Sequence, residues 1–146
     1  MKNTFRLKFV QDLAQKKSDE AATRLGMLNA EVAKAEQKLQ MLLDYREEYR
    51  ERFRGTVQRD VGTAEFRNFQ QFLEKLEEAI EQQRAAILVT RDNVARGQRE
   101  WQVKQIEVKA YDTLEQRHES AVAERLKKID QRVTDEFAGR AHHQRG

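Results

Sequence analysis

The sequence predicts an all-α fold, a long two-helix antiparallel coiled coil (an α-hairpin) in which the second helix is longer than the first. Three observations predict this fold. Apolar residues recur every seven positions along two long segments, the chain contains no Pro, and a single glycine-containing stretch separates the two segments. Charged residues make up 36% of the chain, above the roughly 25% of ordinary domains, which is typical of solvated helices around a thin interior.

The first helix is predicted to run over about residues 4–53. A turn follows over about residues 54–62, because Gly55 and Gly62 each cost roughly 1 kcal/mol in a helix interior relative to Ala. At 1.5 Å per residue, the first helix would be roughly 75 Å long.

The second helix is predicted over about residues 63–138, with Thr63 as its N-cap, and would be roughly 110 Å long. Residues 139–146 are predicted to form a frayed tail. The whole chain, residues 1–146, therefore forms a single hairpin in this interpretation.

The heptad repeat of the second helix is one-sided. Eight of the nine residues in one column are apolar: Leu73, Ile80, Ile87, Val94, Trp101, Val108, Glu115, Val122 and Ile129. The partner column, from Phe69 to Arg125, holds only three apolar residues in nine positions. A repeat this long predicts a left-handed supercoil, and the polar column predicts a soft seam between Gln83 and Lys104.

A short turn makes the two helices antiparallel neighbours. Residues whose numbers sum to about 121 should then lie side by side, as in the pair Tyr49 and Phe72. The shorter first helix ends opposite residue 117 or so. Residues after about 118 should therefore overhang without an internal partner helix.

The composition argues against an enzyme, a cofactor site or a metal site. The chain has no Cys, and its three His are isolated in charged or terminal sequence. It has no glycine-rich phosphate loop and no arrangement of nucleophile and base. It also has no apolar run of about 18 residues, so we expect no direct membrane insertion, and the N-terminus lacks a signal-peptide pattern.

The net charge of +3 is unevenly distributed. Residues 1–17 carry five basic residues and one acidic residue, and residues 117–146 carry seven basic and five acidic residues, whereas the middle is slightly acidic. Basic ends allow binding to nucleic acid or anionic membranes as an alternative. Because acids and bases alternate at helical spacing, we instead expect a solvated face of ion pairs and no nucleic-acid partner.

Two apolar clusters exceed what a two-helix seam needs. The first lies near the turn and comprises Leu42, Tyr45, Tyr49, Phe72, Leu76 and Ala79, and it predicts either a wide local core or a partner-binding patch. The second is a stripe on the overhang: Val122, Leu126, Ile129, Val133 and Phe137. An uncovered stripe predicts docking into another protein or homodimerisation.

Three segments resemble the flagellar type III export protein FliJ family. They are Leu39–Arg50, which contains Asp44-Tyr45 and Tyr49, then Asn68–Ile80, which contains Phe69-Gln70-Gln71-Phe72, and the ending Asp135–Ala138. The resemblance covers most of the chain, and the aromatic motifs carry it.

The resemblance implies a non-enzymatic stalk of the bacterial flagellar export machinery. The overhang, with the basic N-terminal segment, would enter the hexameric export ATPase ring, and the cluster near the turn would contact the cytoplasmic region of the export-gate membrane protein. The family also implies recycling of export chaperones and a cytoplasmic location, peripheral to the inner membrane. Alternatives are the equivalent stalk of a virulence type III secretion system and a self-associating structural adaptor.

Overall fold

The structure, a computed structural model, describes residues 5–57 and 62–145. These residues form two α-helices, α1 (Lys8–Val57) and α2 (Thr63–Arg145). The predicted all-α fold of two antiparallel helices, the second longer than the first, is confirmed.

The ends of the helices differ from the predicted bounds. Helix α1 begins at Lys8 and continues to Val57, so Gly55 lies within the helix. The predicted start at residue 4 and residues 58–61 of the predicted turn lie outside the described residues. One glycine costs only about 1 kcal/mol, which the hydrogen bonds on either side of it offset.

Helix α2 begins at Thr63, but Thr63 is not its N-cap. The carbonyl oxygen of Gly62 accepts a hydrogen bond from the Phe66 amide at 3.2 Å, which makes Gly62 the cap and Thr63 the first helical residue. The helix continues to Arg145, through the segment that we predicted to fray. No Pro follows to end it, and the single Gly139 is insufficient to do so.

Contacts between the helices group the chain into two units, each an antiparallel pairing of α1 with α2. The inner unit comprises Ala21–Trp101, and the terminal unit combines the chain up to Glu20 with the chain from Gln102 onward. In each unit one stripe of α1 faces one stripe of α2, as the heptad columns predict.

The core of the inner unit is thin. Ile80 is completely buried, and Ala21, Leu76 and Ile87 are almost so. Gln83 is also buried, and its Nε2 donates a hydrogen bond to the Ala35 carbonyl oxygen at 2.8 Å. The polar position is therefore satisfied across the seam, which removes most of the cost of burying it.

The register of the inner unit lies within one heptad of the predicted pairing. The rings of Tyr49 and Phe72, a predicted pair, have centroids 4.4 Å apart. The Arg91 guanidinium reaches Glu36 at 2.7 Å, a pair whose numbers sum to 127 against the predicted 121. The hydrophobic columns and the short connection were therefore sufficient to fix the pairing to within two helical turns.

The seam of the terminal unit is small and polar. Its buried α1 residues are Gln11, Ala14 and Ser18, and the Gln11 Nε2 donates to Asp112 Oδ1 at 2.9 Å. Further out, the Phe5 and His118 rings have centroids 5.7 Å apart. Beyond this contact every residue from 123 to 142 is exposed, as the pairing predicts for an overhang.

Candidate protein-interaction surfaces

Six aromatic side chains of the inner unit form what we call the aromatic ladder: Tyr45, Tyr49 and Phe53 of α1, and Phe66, Phe69 and Phe72 of α2. The rings of Phe53 and Phe69 stack with centroids 3.5 Å apart, and those of Tyr49 and Phe69 stack at 4.8 Å. Such pairs contribute about 0.5–1.5 kcal/mol each beyond the area that they bury. The ladder therefore holds this part of the two helices together.

The six residues of the predicted cluster near the turn do not share one environment. Leu76 is buried, so it belongs to the core. Leu42, Tyr49 and Ala79 are partly covered. Only Tyr45, at 45% exposure, and Phe72, at 36%, present substantial surface. The cluster therefore contributes both to a local core and to an exposed aromatic edge.

The exposed aromatic edge includes one residue outside the cluster predicted from the sequence. Met41 is 66% exposed and precedes Tyr45 by one helical turn, so both side chains lie on the same face of α1. The cluster predicted from the sequence did not include Met41. Its i, i+4 spacing from Tyr45 was the signal that could have found it. The exposed apolar edge therefore consists of Met41, Tyr45 and Phe72.

Charged residues flank the aromatic ladder. The guanidinium groups of Arg46 and Arg50 both reach the carboxylate of Glu77, at 3.1 and 3.2 Å. The Arg46 side chain is only 23% exposed. Its buried Nε has no hydrogen-bond partner among the described residues. This ion pair links α1 to α2 across the seam.

The stripe on the overhang is exposed over nearly its whole length. Val122 is half-buried, whereas the next four members are about half to three-quarters exposed: Leu126 52%, Ile129 49%, Val133 61% and Phe137 75%. Exposed apolar side chains in one continuous stripe leave apolar surface in water, and such surfaces mark interaction sites.

The stripe continues a face of α2 that α1 covers elsewhere in the terminal unit. Val108, Tyr111 and His118 occupy the same face and are half-buried against α1. Helix α1 begins at Lys8, and Phe5 contacts His118, while the apolar spacing of α2 continues to Phe137. The stripe therefore extends, without cover from α1, a face of α2 that α1 covers at Val108, Tyr111 and His118.

Among the described residues no group of three or more His, Asp or Glu is arranged to hold a metal ion. No described helix is both long and apolar enough to cross a membrane. His142 is exposed on the last turns of α2, and His118 contacts Phe5. The two candidate surfaces consist of apolar and aromatic side chains.

A family model and two individual proteins that match this chain carry the same description. The model of a family described as "Flagellar FliJ protein" matches residues 1–146. A flagellar FliJ protein of Salmonella typhi is 35% identical over 135 residues, which cover 92% of each chain. A flagellar FliJ protein of Escherichia coli (strain K12) is 33% identical over 132 residues, or 90% of each chain.

Proposed function

The chain belongs to the flagellar FliJ protein family and is a component of flagellar protein export, and we propose that it acts there as a non-enzymatic stalk of the hexameric export ATPase. In this role the overhang of α2 enters the ATPase ring and promotes its assembly and activity. The family finding favours this role over the equivalent stalk of a virulence secretion system.

The uncovered stripe is the observation that carries the proposal. Val122, Leu126, Ile129, Val133 and Phe137 extend a covered face of α2 past the end of α1, so they are the ring-contact residues that we propose. Burying such side chains against a partner is favourable by roughly 25 cal/mol per Å² of apolar surface. Basic groups near the chain ends would steer the approach to an acidic partner more than they would add affinity.

ATP hydrolysis by the purified flagellar export ATPase tests this role. We expect the intact protein to stimulate hydrolysis, and the double variant Leu126→Ser/Val133→Ser to stimulate it much less, because two apolar contacts are lost. The matched control is Val103→Ser/Ile106→Ser, whose side chains are 52% and 67% exposed on α2 away from the stripe. This control should stimulate hydrolysis as the intact protein does.

Equal stimulation by both double variants would move the ring contact away from the stripe. No stimulation by the intact chain, with helical content unchanged, would instead favour the self-associating adaptor. That alternative predicts a dimer whose formation depends on protein concentration and on the stripe.

We further propose that the cluster near the turn contacts the cytoplasmic region of the export-gate membrane protein. The proposed contact residues are Leu42, Tyr45, Tyr49, Phe72, Leu76 and Ala79. Tyr45 and Phe72 provide the exposed surface of this cluster, whereas Leu76 would act by holding the core beneath it. The double variant Tyr45→Ala/Phe72→Ala should keep the helical content and lose gate binding. Lost helicity would instead assign these two rings to the core.

Recycling of empty export chaperones and a cytoplasmic location, peripheral to the inner membrane, complete the proposal. Both come from the family, and the exposed face of two long helices offers the surface that several partners in turn would need. Co-purification of chaperones with the intact chain tests the first point, and cell fractionation tests the second.

A further inference from the structure

The exposed apolar edge of the inner unit lies beside a run of carboxylates. Asp44, Glu47, Glu48 and Glu51 line a shallow depression on α1 together with Arg52. Glu48 follows Tyr45 by three positions, so its side chain neighbours the Tyr45 ring on the helix surface and joins the depression to the apolar edge. The apolar edge and the acidic depression are therefore parts of one surface.

The charges on the two sides of the aromatic ladder differ in how they are balanced. Arg46 and Arg50 share the single carboxylate of Glu77 of α2. Asp44 accepts a hydrogen bond from Gln40, and Glu51 pairs with Arg54. Within the described part of the chain, Glu47 and Glu48 form no ion pair. With four carboxylates and the single guanidinium of Arg52, the depression carries net negative charge.

We propose that this surface binds a basic segment of a partner protein, in which Lys or Arg side chains flank an apolar residue. The apolar residue packs on Met41, Tyr45 and Phe72, and the basic side chains reach Glu47 and Glu48. The inference rests on the proposed gate contact and adds its chemistry: the cytoplasmic region of the export-gate protein supplies the basic segment.

Charge complementarity favours a basic segment as the partner that binds this surface. An acidic segment or an anionic membrane surface would be repelled by the net negative charge of the depression, because like charges brought together at an interface are unfavourable. A guanidinium gains twice at this surface, since it can stack on the Tyr45 ring while it bonds to the Glu48 carboxylate. A second copy of this chain is also excluded as the partner at this site, because its own acidic surface would be repelled in the same way.

Binding of the full-length chain to the purified cytoplasmic region of the export-gate protein tests the inference. The charge reversal Glu47→Lys/Glu48→Lys should weaken binding by about tenfold or more, since charge pairs that face each other across an interface are replaced by repulsion. The matched control is Glu74→Lys/Glu78→Lys, which makes the same change at two exposed positions of α2 outside the depression. It should change the dissociation constant by less than about twofold, because more distant charges are screened.

The variant Tyr45→Ala/Phe72→Ala distinguishes the inferred basic segment from the proposed gate contact on which that inference rests. Lost binding in that variant with unchanged binding in Glu47→Lys/Glu48→Lys would overturn the basic segment and keep the gate contact. Equal weakening by both charge reversals would also overturn it, since net charge alone would then be responsible. No binding by the unsubstituted chain would remove the gate contact and the inference together. Circular dichroism of each variant shows that a loss of binding is not a loss of helix.

Discussion

Single residues in the seam decide how closely the two helices pack. Gln83 is a polar residue in a core position, and its hydrogen bond to the Ala35 carbonyl offsets the cost of taking its amide out of water. Gly97 is buried, and a Cβ at this position would lie 2.7 Å from Leu28 Cδ1, so the missing side chain makes room for that leucine. The polar column of the heptad is thus accommodated by one hydrogen bond and one close approach.

Ile80 has no exposed surface, and we expect Ile80→Ala to destabilise the protein by about 2–5 kcal/mol. The loss combines the transfer free energy of the deleted methyl and methylene groups with the cavity that remains. Urea unfolding followed by circular dichroism measures it. Ile106→Ala is the matched control, since Ile106 is 67% exposed and its truncation should cost no more than about 0.5 kcal/mol. Similar costs at both positions would contradict the assignment of the core.

At the scale of the helix, continuity depends on the absence of proline rather than on strong local propensity. Helix α1 passes through Gly26 and Gly55, and α2 passes through Gly97 and Gly139, without a break. Each glycine lowers local helix stability by about 1 kcal/mol, but packing across the seam and the flanking hydrogen bonds compensate. The helices therefore continue where propensity alone would suggest weak points.

Gly26 and Gly97 provide a paired test of this account. Gly26→Ala should stabilise the protein by up to about 1 kcal/mol, because no atom lies within 4 Å of the added Cβ. Gly97→Ala should stabilise it less or destabilise it, because Leu28 must move to admit the methyl group. Thermal unfolding of the two variants gives the comparison. Equal stabilisation would show that the seam at Gly97 is loose enough to absorb a methyl group.

At the scale of the whole molecule, one chain combines a paired part with an unpaired part. The exposed run from 123 to 142 contributes no buried side chain, so its helical residues are stabilised only by local hydrogen bonds and by whatever partner binds them. A segment of this kind is suited to binding another protein, because the free chain keeps its apolar stripe exposed.

Truncation after Glu119 should therefore leave the paired helices intact. We expect the midpoint of thermal unfolding to change by only a few degrees, while helical ellipticity falls in proportion to the residues removed. Circular dichroism of the intact and truncated chains measures both quantities. A large fall in the midpoint would mean that the overhang supports the fold, and would weaken its assignment as a surface reserved for a partner.

Much of the fold could be predicted from the sequence because helix periodicity is local. The heptad columns, the lack of Pro and the glycines near the turn predicted two helices, their unequal lengths and a register within one heptad. The ends of the helices were predicted less well: α1 passes Gly55, and α2 passes Gly139 to Arg145. Helix ends depend on small differences between propensity and packing, which a sequence pattern does not resolve.

The sequence alone determined the fold class, the overhang and the two apolar clusters, since all three follow from spacing along a helix and from the relative lengths of the helices. Only the tertiary structure decided which members of each cluster are accessible. It buried Leu76, exposed Tyr45 and Phe72, and left Glu48, a neighbour of Tyr45 on α1, without an ion pair among the described residues. The physical reason is that exposure depends on which atoms of α1 and α2 meet across the seam, and that contact is made between residues distant in sequence.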